Sequence, residues 1–476
     1  MIFDRDHATG VKRVCLSALL FGAVSVAQAD PLASNNGMYP KPGDGTVLAP
    51  DIYKGTYNVA NLDYPKELPE QTWQPGAGLN GSLSQENAAE YMAALKDHIE
   101  PTFRVLIEDA QNWDAVSAGW YNTVWRGAGQ PGDPTSGREP IMNTNTGQIV
   151  PSNSWSEQWR PTTDWMQNYG VIYYNPRAAY TLGQVWENLY RPDYTQMSFA
   201  DGSIVVKVEA ATVQPEEWPW KDSDVEVTSV LEGAASWFAY RPTTEDQKAR
   251  QLDPSYPLIN QVQTVYPFQM AIKVKDTAAA PDTGWVFMGF VFDARVEGTV
   301  WDKFVPAGMM WGNDPDLTSD PSGLPDGETL QQTWINPDAP PFVADTLGWG
   351  GRMAAPMDVA VRHQVVLRTG TWYTRDKGVR ASSCLSCHGT AQFPFTANLY
   401  PSPNRFFPPD GMAFPMYAPG SAKWAEWFQN RPGDKPQSDY DGIHALDYDL
   451  TSMIALGIWA GSTGQDALAF EGLNGH

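Results

Sequence analysis

With 55 acidic against 32 basic side chains and a formal charge of −23, this 476-residue chain is too negative to bind nucleic acid or an anionic membrane surface, and it favours a partner with a basic docking surface. Its 41 glycines and 39 prolines exceed the average share of about 12%. Together with 20 Trp and 20 Tyr they describe a loop-rich, ordered protein with an aromatic core.

The first residues read as an export signal. Arg5, Lys12 and Arg13 precede an apolar run at 14–27, and "AQA" at 27–29 offers small residues for cleavage after Ala29. Residues 1–29 are therefore expected to leave, and the mature protein to be periplasmic or secreted. Cys15 stands at the start of the apolar run, whereas a lipid-anchored cysteine stands at its end. Past the leader the longest apolar run is "WVFMGFVF" at 285–292, well short of the roughly 20 residues of a membrane helix.

Residues 30–81 lack a sustained period and read as an extended arm. A capping-box pattern at Ser82 and Gln85 then opens a helix near 84–99, with Ala89, Met92, Leu95 and Ile99 on one face and Pro101 just beyond its end. After Asn168 the period changes to two. Strands are predicted at 170–175, 203–212, 224–231, 264–276 and 284–293, interrupted by a helix at 176–190. The fold class is α+β: a large β-rich domain, sandwich- or barrel-like with long loops, over 30–345. A smaller helix-and-loop segment follows over 346–476, with helices at 421–429 and 449–461.

Two features of the β-rich part invite a functional reading and also have a plain one. Trp113, Trp120, Trp125, Trp155, Trp159 and Trp165 could line a ligand groove, but core packing is the commoner use of Trp. Asp314, Asp316, Asp320, Asp326 and Glu328 crowd one loop with the hard oxygen ligands that Ca²⁺ takes. Their register matches no helix-loop-helix calcium motif, and a solvated turn-rich loop is the favoured reading.

The chain holds only three cysteines, and two of them lie in "SSCLSCHG" at 382–389. A disulfide between Cys384 and Cys387 would close a very short loop and leave His388 unexplained. A dithiol redox pair wants a βαβ context, which is missing. Zinc would need further ligands from His363, His444, His476 or carboxylates. The fourth reading is covalent haem, for which C-x-x-C-H is the attachment pattern. On a short helix capped by Ser382 or Ser383, positions i, i+3 and i+4 share a face. Two thioethers and an iron-ligating imidazole can then meet one haem, and this reading is favoured.

At these residues the sequence resembles the c-type cytochromes. The resemblance covers "CLSCHG" and the apolar helices that follow. It implies one covalent haem c, with Cys384 and Cys387 as thioether anchors, His388 as proximal iron ligand, and electron transfer with a redox partner protein. For the distal position, Met416 in "FPMYAPG" is the first candidate, since a Met after proline in a rigid loop suits a raised potential. Met412, Met453 and His444 are the alternatives, while His363 has strand-like neighbours. An open distal side would instead suit a haem oxidoreductase of peroxidase or oxygenase type, or a haem-based ligand sensor.

Overall fold

The computed structural model describes residues 48–73, 81–124, 139–221, 225–253, 255–317, 324, 327–354, 365–367, 372–373, 380–404, 414–438 and 440–463. The leader, Cys15, Trp125, Asp320, Asp326, His363, Met412 and His476 lie outside them.

One eight-stranded antiparallel sheet dominates. Its strands are β1 (Asn145–Pro151), β2 (Trp165–Tyr174), β3 (Ile204–Ala211), β4 (Trp237–Arg241), β5 (Gln261–Lys275), β6 (Trp285–Phe292), β7 (Phe304–Met310) and β8 (Thr333–Ile335). They run in the order β1-β2-β3-β5-β6-β7-β8, with β4 paired to the first part of β5. The expected β-rich architecture is present as a single sheet, with β1 and β8 at the ends of its path. All eight residues of β6 are buried, which is why this strand reads as a continuous apolar run without alternation. Pro267, which has no N–H to give, sits beside an irregularity in the β3–β5 register.

Helix α1 (Ala88–Glu108) packs on β7. The expected Ser82/Gln85 capping box does not form. The Gln85 amide donates to the Leu330 and Thr333 carbonyls, and Asn87 takes the N-cap position. Pro101 lies inside the helix, because Phe103, Leu106 and Ile107 extend the buried face beyond it. Each such burial contributes about 1.5–3 kcal/mol, which together offset the roughly 3 kcal/mol that an internal proline costs. A single turn, α2 (Ala115–Ala118), follows. Next comes α3 (Pro176–Val185), whose N-cap Asn175 accepts from the Ala178 amide, and then α4 (Thr244–Leu252). Of the strand expected at 224–231, the described residues 225–231 form only an isolated bridge, Ser229 to Pro219. That segment folds back on the turn at 215–220 through Ser229, whose hydroxyl donates to the Pro215 and Trp218 carbonyls.

Beyond the sheet lie β9 (Val365–Leu367), β10 (Trp372–Tyr373), α5 (Cys384–His388), β11 (Gln392–Phe393), β12 (Phe414–Met416), α6 (Ala422–Ala425), β13 (His444–Ala445) and α7 (Leu450–Thr463). Strand β12 pairs in parallel with β9, and β11 pairs with β13. Leu385, Phe393, Leu446, Tyr448, Met453 and Leu456 share one hydrophobic cluster with the strands of the sheet. A second cluster gathers Trp349, Ala381, Tyr400, Met416, Trp424, Trp427 and Phe428. Trp113, Trp120 and Trp155 are core residues, as the plain reading had it. Among the described residues no helix is long and apolar enough to cross a membrane.

Candidate functional site

Helix α5 is a single turn that its own residues hold at the start. The Ser383 hydroxyl accepts from the Ser386 amide at 2.9 Å, and the Ser386 hydroxyl accepts from the Ser383 amide at 2.7 Å, a reciprocal capping box. Ser383 also donates to Oδ1 of buried Asn313 at 2.7 Å, which ties the helix start to the loop after β7. Replacing Ser383 by Ala is expected to cost about 1–2 kcal/mol, read as a lowered denaturation midpoint. An unchanged midpoint would show that the cap carries no weight.

The short turn has an inward and an outward side. Leu385 and Ser386 are buried, while Cys384, Cys387 and His388 all keep partial surface access. The three residues with chemistry to offer are thus half-buried, with Cys384 packed at the edge of the main cluster. No disulfide joins the two sulfurs.

His388 is prepared by the sheet. Its ring lies against Phe287 of β6 at 4.8 Å between centroids, and its Nδ1 is 2.9 Å from the Tyr448 carbonyl oxygen. A carbonyl only accepts, so Nδ1 carries the proton and Nε2 is left with the lone pair. Burial pushes the imidazole pKa down to about 3, and the ammonium groups of Lys273 and Lys207 add to the effect. The ring is neutral, the form that binds a metal.

The carbonyl that orients His388 belongs to a strained turn. Asp447 (φ 45°) and Tyr448 (φ 64°) both adopt the left-handed conformation, at about 1–2 kcal/mol each. Two lysines of β5 offset that cost. Lys275 reaches Asp447 at 2.7 Å, and Lys273 reaches Asp449 at 2.9 Å and the Tyr448 carbonyl itself at 2.9 Å. Trp285 Nε1 donates to Asp447 at 2.7 Å, and Tyr174 donates to Asp449 at 3.0 Å. Burial alone would raise the Asp449 pKa. The Lys273 ammonium and the Ser452 and Tyr174 donors outweigh it and hold the carboxyl below its ordinary value.

These supporting residues escaped the sequence reading. Their signal was present in two charged side chains spaced i, i+2 within the otherwise apolar "AIKVK" that ends β5, and in the "DYD" that answers them. Of the distal candidates, Met416 is fully buried in the second cluster, which also holds Ala381 and Trp427. The turn at Glu426–Phe428, which gives Trp427 and Phe428 to that cluster, lies against α5. Met453 lies in the main cluster on α7, and His444 on β13 packs its ring on Tyr194 at 5.3 Å.

Among the described residues no three His, Cys, Asp or Glu side chains converge as a metal-ligand set. A zinc site would have to draw on residues outside them. In the acidic loop, Asp314 accepts from the Gln331 and Gln332 amides, the usual work of a turn aspartate. It borders an open cleft of about 460 Å³ with Asp282, Asp316 and Glu328. Covalent haem asks for two cysteines and a histidine on one helical turn, with the histidine's Nδ1 already engaged, and the residues present fit that demand. Comparison with known protein families, with curated proteins and with solved structures finds no match for this chain.

Proposed function

We propose that this chain is an exported c-type haem protein whose function is one-electron transfer. The observation that carries the reading is the setting of His388: its Nδ1 is hydrogen-bonded to the Tyr448 carbonyl, and it shares one capped helical turn with Cys384 and Cys387. In this reading Cys384 and Cys387 hold the haem as thioethers and His388 ligates the iron through Nε2. When bound, the haem supplies an iron centre that cycles between two charge states. The chain supplies a fixed ligand. Phe287 limits the tilt of the ring, the Tyr448 carbonyl fixes its rotation, and the capping box of α5 holds the spacing of both anchors. An acidic surface favours a redox partner with a basic docking face.

For the sixth ligand the reading assigns Met416, because its cluster reaches α5 through residues 426–428. With haem bound, His388 and Met416 together would keep the iron's ligands unchanged as its charge changes, which suits a carrier. The expected result is a six-coordinate, low-spin protein with a weak sulfur-to-iron band in the near infrared. Reduced protein should bind carbon monoxide slowly or not at all. Met416→Ala should abolish the band, open the iron to carbon monoxide, and destabilise the chain by about 2–5 kcal/mol through the lost core side chain. A high-spin wild type that binds carbon monoxide or peroxide rapidly would replace the carrier by a haem oxidoreductase. Loss of the band on changing Met412 or Met453 instead would move only the ligand.

A further inference from the structure

The Tyr448 carbonyl accepts from two donors at once, His388 Nδ1 and Lys273 Nζ, each at 2.9 Å. Lys273 is buried and sits in register beside Phe287, the residue against the His388 ring. Its neighbour Lys275 is in register with Trp285, and both lysines lie over the Trp285 ring, at 4.8 and 5.2 Å. One patch of the sheet thus grips Asp447, Tyr448 and Asp449 and sets the carbonyl that holds the histidine. Gly433 allows the grip to close, since a Cβ there would fall 1.8 Å from Asp447 Oδ1.

We infer that Lys273 is a positioning residue that tunes the iron through the Tyr448 carbonyl. The inference rests on the haem reading of the site. An ammonium drawing on the carbonyl oxygen weakens its acceptance from Nδ1–H. The imidazole then has less anionic character and gives less electron density to the iron, which favours the reduced state. The same ammonium fixes the turn, so ring orientation and ligand strength have one origin. Asp449 balances the charge locally, leaving the hydrogen bond to the carbonyl as the specific lever.

The test compares reduction potentials of haem-loaded protein. Lys273→Met with Asp449→Asn removes the pair without changing net charge. It is expected to shift the one-electron equilibrium toward the oxidised form about tenfold, or 59 mV. Lys275→Met with Asp447→Asn removes the neighbouring pair, which makes no contact with the Tyr448 carbonyl, and is expected to shift it far less. Lys273→Arg should restore most of the wild-type potential. Equal shifts in the two double variants, or none in the first, would overturn the tuning role.

Should the first double variant not fold, Lys273→Arg and the wild type decide. In the wild type, reduced or haem-free, the Nδ1 proton of His388 should be seen by NMR and exchange slowly with water. A rapidly exchanging proton would overturn the clamp whatever the variants do. Haem content is measured first, so a chain purified without covalent haem ends the reading of the site. The exchange of the Nδ1 proton then still tests the clamp on its own.

Discussion

Gly348→Ala is expected to yield a protein of lowered stability that carries little haem, although residue 348 lies 36 positions before the first anchor. A Cβ at Gly348 would stand 1.8 Å from the Ser382 carbonyl oxygen and 2.8 Å from its carbon. Both are backbone atoms, so no side-chain rotation relieves the clash. The Trp349 amide donates to that same oxygen at 2.9 Å, and the Gly348 amide donates to the Arg352 carbonyl at 2.8 Å. Relief therefore requires the segment entering α5 to move. That segment carries Ser383, the cap of the helix, and the Cys384 amide, which donates to Met353 at 2.9 Å. Overpacking of this kind costs typically about 1–3 kcal/mol, occasionally more. The checks are the thermal midpoint and the haem-to-protein ratio. A variant equal to the wild type in both would show that the contact between the 348 turn and Ser382 does not position the motif.

The second large effect concerns the anchors themselves. Cys384→Ala and Cys387→Ala should each leave at most one thioether, and the double variant should hold no haem that survives denaturation. Both side chains are only partly buried, so the folded sheet should persist in all three variants. Separating attachment from folding is the informative part of the experiment. If the cysteines served as a structural crosslink, their loss would lower the unfolding midpoint instead, by an amount set by the short loop they would close. Haem staining of denatured protein and the pyridine haemochrome band report attachment, while circular dichroism reports the fold. A double variant that keeps denaturation-resistant haem would remove these two residues from the site.

Much of this was legible in the sequence for a physical reason: local chemistry leaves local patterns. The motif at 384–388 needs one helical turn, and the turn forms with Ser383 as one of the two caps expected. Strands β3, β5 and β6 lie where period-two or continuous apolar runs placed them, because their neighbours bury them on both faces. Strands β1, β4, β7 and β8 are short or interrupted by proline and glycine, and their partners rather than their own residues make them strands. Residues 225–231 show the converse, a strand-like pattern whose hydrogen bonds go to a nearby turn. The support for His388 was hidden for a third reason. Lys273 and Tyr448 are 175 residues apart, so the charged pair in β5 and the "DYD" turn each stand out locally while nothing in either says that they meet.

The central claim is that Cys384 and Cys387 carry a covalent haem. The most direct measurement is the intact mass of the protein recovered from the periplasm, taken after denaturation and acid-acetone extraction. The predicted result is the chain beginning at Asp30 plus the mass of one haem, with the addition mapped to the peptide that contains residues 384–388. A bare polypeptide mass, or one lowered only by the two hydrogens of a disulfide, would contradict the account.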